Sequence, residues 1–157
     1  NNGLVIQDLL ESKYNLETRM MIAWESKQVG ELFVRRRAIS HLEKGRILVL
    51  VGGIGNPRVS TDFAMVLRAM EIGADVILKG TKVDGIFDKD PKIHADAKKL
   101  AKVSYAEYLR MDLKVVDGPA VALARDNGLV IRVFDIFKPG SLKRVMVDST
   151  TGSVISD

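Results

Sequence analysis

The sequence predicts an α/β fold, a three-layer sandwich built on a mostly parallel central sheet, and three observations carry that prediction. Short apolar runs alternate with stretches of helical periodicity, the order that calls for parallel strands joined by helical crossovers. Ile47 to Val51 (ILVLV) is continuously apolar and rich in β-branched residues, the pattern of a strand buried on both faces. A glycine-rich turn from Gly52 to Asp62 then leads into a helical pattern, and α/β sheets hold their ligands beyond the carboxyl ends of such strands.

Leu4, Val5, Leu9 and Leu10 recur at helical spacing, with Asn2 available as a cap, so the first element is a helix. Arg19 to Trp24 is an apolar run of strand length, and Val34 to Glu43 reads as a helix stopped at Lys44-Gly45. After the strand at Ile47 and the glycine turn, Phe63, Val66, Leu67, Met70 and Ile72 form a helical stripe that Gly73 ends before the strand Ala74 to Leu78. A Gly- and Asp-rich loop spans Gly80 to Pro91. Ser104-Tyr105-Ala106-Glu107 has capping-box spacing before a short helix, and Pro119 to Asn127 is a second helix that Gly128 terminates. Val130 to Ile136 is a strand. Pro139-Gly140 turns the chain into Ser141 to Met146, and Thr151-Gly152 is placed to close a terminal hairpin.

With 157 residues, 46% apolar and 28% charged, the chain is long enough for one folded, water-soluble body. It lacks cysteine, which removes disulfides, thiolate zinc sites and cysteine nucleophiles. No run reaches the roughly 18 apolar residues of a membrane span, and no export signal is apparent. A cytoplasmic protein without membrane or nucleic-acid partners is expected. The net charge of +4 suits a small anionic ligand. Arg35-Arg36-Arg37 lies on a helical pattern and reads as a solvated face rather than a nucleic-acid patch.

The chemistry concentrates in a few places. In the Gly52 to Asp62 turn, glycines let backbone N–H groups approach an anion, and the helix start adds donors and partial positive charge. Ser60, Thr61 and Asp62 are candidates either for capping that helix or, through the hydroxyls, for donating to a phosphate. The letters match neither a Walker loop, since no Lys precedes Ser60-Thr61, nor a dinucleotide fingerprint, whose third glycine position holds Arg58. Lys79 ends the strand ADVIL on the side expected to bind ligand, where a cation can neutralise a transferring phosphoryl group or simply be solvated. Asp84, Asp88 and Asp90 are turn aspartates that could also reach Mg²⁺ through water. Asp117 is either an N-cap or a carboxylate that orients a lysine or a metal ion. His41 and His94 have no partner at metal-ligand spacing, so no metal ligand is assigned to them.

Five blocks in order, ELFVRRRAISHLEKGR, VGGIGNPRVSTD, VLRAMEIGADVILKGTKVDGIFDKDP, LKVVD and IRVFDIFKPGSL, resemble the bacterial uridylate kinases, of the amino-acid-kinase fold. The resemblance implies transfer of the γ-phosphate of ATP to UMP with Mg²⁺. It places UMP at Gly55, Asn56, Pro57, Ser60 and Thr61, and ATP at Thr81, Phe87 and Asp90, with Asp62, Asp117 and Lys79 as catalytic positions. It further implies a hexamer activated by GTP and inhibited by UTP. The 157 residues then form one incomplete kinase-like domain, with an acceptor side over about 1–62 and an ATP side over about 74–157. The family's initial Lys-x-Ser-Gly loop and GGGN segment have no counterpart here, so the amino-terminal part of that fold is expected to be absent. Ile54 stands where the family usually has Thr, and Arg58 where it has an aromatic. A non-catalytic nucleotide-binding sensor or storage relative is the alternative that those two departures and the absent amino-terminal loop motivate.

Overall fold

The computed structural model describes residues 1–26 and 29–157. The chain divides into two compact units, residues 1–64 and 65–157.

The first unit contains α1 (Asn2–Ser12), β1 (Thr18–Ile22), β2 (Glu31–Leu32), α2 (Arg35–Glu43), β3 (Ile47–Val51) and the first turn of α3 (Thr61–Ile72). Asn1, not Asn2, occupies the cap position of α1, because helical geometry already begins at Asn2. The strands are parallel in the order β2-β1-β3. Placement in the sheet decides burial: Met20, Met21 and Ile22 of the middle strand are buried, whereas Ile47 is exposed and Leu48 to Val51 are half-buried. The expectation of a β3 buried on both faces is therefore not met among the described residues. Its edge position is the reason. The arginines of α2 stand exposed, as a solvated face requires, with Arg37 paired to Glu31 at 3.3 Å. His41 is a structural link. Its Nδ1 accepts from Arg46 Nη1 at 3.0 Å, which leaves Nε2 to donate to Glu31 Oε2 at 3.2 Å.

The second unit holds the rest of α3, then β4 (Val76–Thr81), β5 (Ile86–Phe87), β6 (Lys99–Leu100), β7 (Lys102–Val103), α4 (Tyr105–Arg110), α5 (Gly118–Asp126), β8 (Val130–Asp135), α6 (Ser141–Val147) and β9 (Ser153–Ile155). Its sheet runs β4-β8-β9-β7, with β4/β8 and β7/β9 parallel and β8/β9 antiparallel. β5 and β6 form a separate antiparallel pair. Mixed α/β structure with mostly parallel pairing is thus what the sequence predicted. Ile77, Tyr108, Val116, Val121, Ile131 and Ile155 lie at the centre of this unit's core.

Local signals read correctly at the starts of α4 and α5. Ser104 Oγ accepts from the Glu107 N–H at 3.2 Å, and Asp117 Oδ1 accepts from the Ala120 N–H at 2.9 Å. The terminal hairpin is a correction. Ser141–Val147 is a helix, and the Thr151-Gly152 turn leads into β9, which pairs with β8 and β7. The Arg132 guanidinium, reaching from β8, donates to the carbonyls of Val145, Asp148 and Thr151 and so holds the end of α6 and the turn after it. Hydrogen bonds from the Thr151 hydroxyl and from the Thr150 N–H and hydroxyl hold the Asp148 carboxyl down at about 2. Among the described residues, no helix is long and apolar enough to cross a membrane.

Candidate functional site

In the second unit a cavity of about 460 Å³ opens between the loop after β4 and the segment after α4. That volume falls in the range of small-ligand sites. One wall comes from Val83, Gly85 and Phe87 to Lys92, the other from Met111 to Val115. Phe87 and Asp90, two of the three residues assigned to ATP by resemblance, therefore share one lining. Thr81 is not part of this lining. Its hydroxyl is engaged locally, donating to the Val83 carbonyl at 2.9 Å and accepting from the Val83 N–H at 3.0 Å, so it shapes the loop's entry.

β4 continues to Thr81, so Lys79 lies inside the strand rather than at its end, opposite Val133 of β8. Its Nζ donates to the Val115 carbonyl at 2.6 Å, which ties β4 to the far wall of the cavity. The same wall is held from behind by Tyr108, whose buried hydroxyl donates to the Val116 carbonyl at 2.9 Å and accepts from the Val116 N–H at 2.6 Å. Asp117 follows directly, capping α5 and lining a smaller recess of about 160 Å³ with Tyr108, Asp112 and Lys114.

The acidic loop does not fit a metal site built by the chain. Asp84 is paired with Lys99 and Lys138, Asp88 Oδ1 accepts from the Lys98 N–H, and Asp90 Oδ1 accepts from the Lys92 N–H. Among the described residues, no three acidic or histidine side chains gather as a ligand set. The carboxylates are spent on lysines and on their own turns.

In the first unit the glycine turn closes through Gly55 N–H to Gly52 O at 3.0 Å and Val59 N–H to Asn56 O at 3.1 Å. Gly52 has φ +82°, and a Cβ there would fall 2.2 Å from the Trp24 ring, so both backbone and space require glycine. Asn56 Oδ1 accepts from the Arg58 N–H, and Ser60 Oγ accepts from the Phe63 N–H, each at 3.0 Å. Ser60 is thus a helix cap, as one of its two readings held, yet its own hydroxyl proton remains available for a phosphate oxygen. Gly55, Asn56, Pro57, Ser60 and Thr61 are exposed, and Asp62 is half-buried in the first turn of α3.

The model of the Amino acid kinase family matches residues 4–135. The chain belongs to the amino acid kinase family. It is 47% identical over 154 residues to a uridylate kinase of Xanthomonas oryzae, covering 98% of this chain and 64% of that protein. The crystal structure of UMP kinase from Bacillus anthracis superposes with a TM-score of 0.95 at 38% identity, over 99% of this chain and 64% of that one. UMP kinase from Ureaplasma parvum gives a TM-score of 0.93 at 29% identity, over 99% and 66%. The chain thus spans about two thirds of the length of these relatives.

For a member of the amino acid kinase family, the sequence reading missed the Met111 to Val115 wall. The signal was present: Met111, Leu113 and Val115 alternate with Asp112 and Lys114, and only the apolar three are half-buried. The contact of Trp24 with Gly52 left no such trace.

Proposed function

We propose that the intact protein transfers the γ-phosphate of ATP to UMP, releasing UDP and ADP. The observation that carries this reading is the cavity lined by Phe87, Asp90 and the Met111 to Val115 wall, with the Lys79 ammonium fastened to that wall at Val115. The cavity takes the ATP base and ribose, with Phe87 supplying an aromatic surface. The Gly52 to Asp62 turn takes UMP, offering the hydroxyls of Ser60 and Thr61 and the amide of Asn56 to its phosphate. An oxygen of the UMP phosphate attacks the γ-phosphorus, the bond to the β-bridging oxygen breaks, and ADP departs. No covalent enzyme intermediate is needed, since alignment and charge neutralisation carry phosphoryl transfer. Lys79 neutralises the transferring group. Asp117 keeps the segment that receives Lys79 in place, and Asp62 acts on the acceptor side.

Incubating the intact protein with ATP, Mg²⁺ and UMP should yield stoichiometric UDP and ADP by chromatography. Phe87→Ala should raise KM for ATP about tenfold, the equivalent of roughly 1.4 kcal/mol of lost contact, and leave KM for UMP within about twofold. ATP binding without any UDP would instead favour the non-catalytic relative that Ile54 and Arg58 motivate. A homo-oligomer, hexameric as the resemblance implies, belongs to the same proposal. Light scattering on the intact protein tests it, and a monomer at working concentration would count against it.

A further inference from the structure

The strip from Val83 to Phe87 has two faces. Val83, Gly85 and Phe87 line the cavity, while Ile86 between them is fully buried in the core. Asp84 turns to the lysines: its Oδ2 lies 3.4 Å from Lys99 Nζ of β6 and 3.0 Å from Lys138 Nζ in the connection between β8 and α6. The Ile86 N–H donates to the buried Ser153 Oγ at 2.8 Å, and the backbone at Gly85 runs so close that a Cβ there would fall 2.4 Å from the same oxygen. One face of the strip is cavity wall. The other is fastened by Asp84, Ile86 and the Ser153 hydroxyl.

The two ammonium groups share a single carboxylate oxygen, Asp84 Oδ2, and this decides what loss of the carboxylate does. Burial opposes ionisation of Asp84, but the Lys138 hydrogen bond and the Lys99 charge outweigh it and hold the carboxyl below its usual range. The side chains of Asp84, Lys99 and Lys138 are 43%, 32% and 52% exposed, so either ion pair alone contributes little. Removing the carboxylate does more than delete two weak pairs. It leaves two ammonium groups directed at one point with no anion between them, and their repulsion, though screened by water, turns them toward solvent and unfastens the strip from β6 and from the connection after β8.

We propose that Asp84 is a positioning residue for the donor nucleotide: without touching the ligand, it holds the Val83 to Phe87 strip as a cavity wall against Lys99 and Lys138. The proposal rests on ATP occupying this cavity. In the intact protein, Asp84→Asn should weaken ATP binding, by calorimetry and by KM, about fivefold, with kcat and KM for UMP within about twofold. Asp84→Glu should recover most of that loss. Adding Lys138→Met to Asp84→Asn should recover part of it, because the repulsion goes. Lys138→Met alone, which creates no repulsive pair, should weaken ATP binding only about twofold, and it serves as the reading if Asp84→Asn does not fold. ATP affinity unchanged in Asp84→Asn, or unchanged in Lys138→Met where only that variant folds, overturns the proposal. So does an equal rise in both KM values. If the unaltered protein does not bind ATP, or binds it equally well as Phe87→Ala, the proposed ATP site falls and Asp84's role with it. ATP binding that depends on Phe87 but not on Asp84 removes the positioning role alone.

Discussion

Lys79→Met lowers kcat for phosphoryl transfer roughly 10²- to 10³-fold, the usual loss when one preorganised donor to transition-state charge is removed. β4 pairs in parallel with β8, placing Lys79 opposite Val133, so the stem of the side chain leaves a fixed backbone. Its ammonium is then aimed by the 2.6 Å bond to the Val115 carbonyl. A lysine carries three N–H donors, and holding one of them on a carbonyl restricts where the charge can point. Such a cation costs little to organise during the reaction, when charge spreads over the transferring phosphoryl oxygens. Methionine retains the apolar stem but removes the charge and the bond to the Val115 carbonyl, so circular dichroism should change little while the melting temperature falls by a few degrees. KM for ATP should rise only a few-fold, because the effect falls mainly on the transition state. Steady-state kinetics at saturating ATP and UMP measure it. A kcat within threefold of the unaltered protein would reduce Lys79 to a strap for the Met111 to Val115 wall.

Tyr108→Phe destabilises the fold by about 2–4 kcal/mol, because each buried polar group left without a partner costs about 1–3 kcal/mol. Tyr108 and Val116 are both fully buried, and the one hydroxyl serves both the N–H and the C=O of Val116. Phenylalanine fills the same space and satisfies neither group. The cavity wall is tied to the same point, since Val115 precedes Val116 and Asp117 follows it. Lower stability should therefore come with weaker ATP binding. Urea unfolding of the two proteins reads the first effect, with the midpoint falling at unchanged slope. A loss under about 0.5 kcal/mol would mean that water or a shifted backbone replaces the hydroxyl.

Much of the fold was legible because much of it is local. Helical stripes and β-branched runs placed the principal helices and strands, and Ser104 and Asp117 cap the helices their spacing indicated. Short elements were less legible: β6 and β7 are two residues each and carry no periodicity to read. The candidate site divides the same way. Phe87 and Asp90 share a cavity within one loop, whereas the opposing Met111 to Val115 wall comes from a separate segment.

The sequence alone determined the type of most elements, the helix caps at Ser104 and Asp117, and the α/β class with its mostly parallel pairing. Those properties depend on φ/ψ preference and side-chain periodicity within a few residues. Only the tertiary structure decided that Lys79 meets Val115, 36 positions away, that Asp84 serves two lysines, and that the last strand joins β8 and β7. Each of those pairings is selected by packing and charge between segments distant in the chain. Neither leaves a periodic mark in either segment.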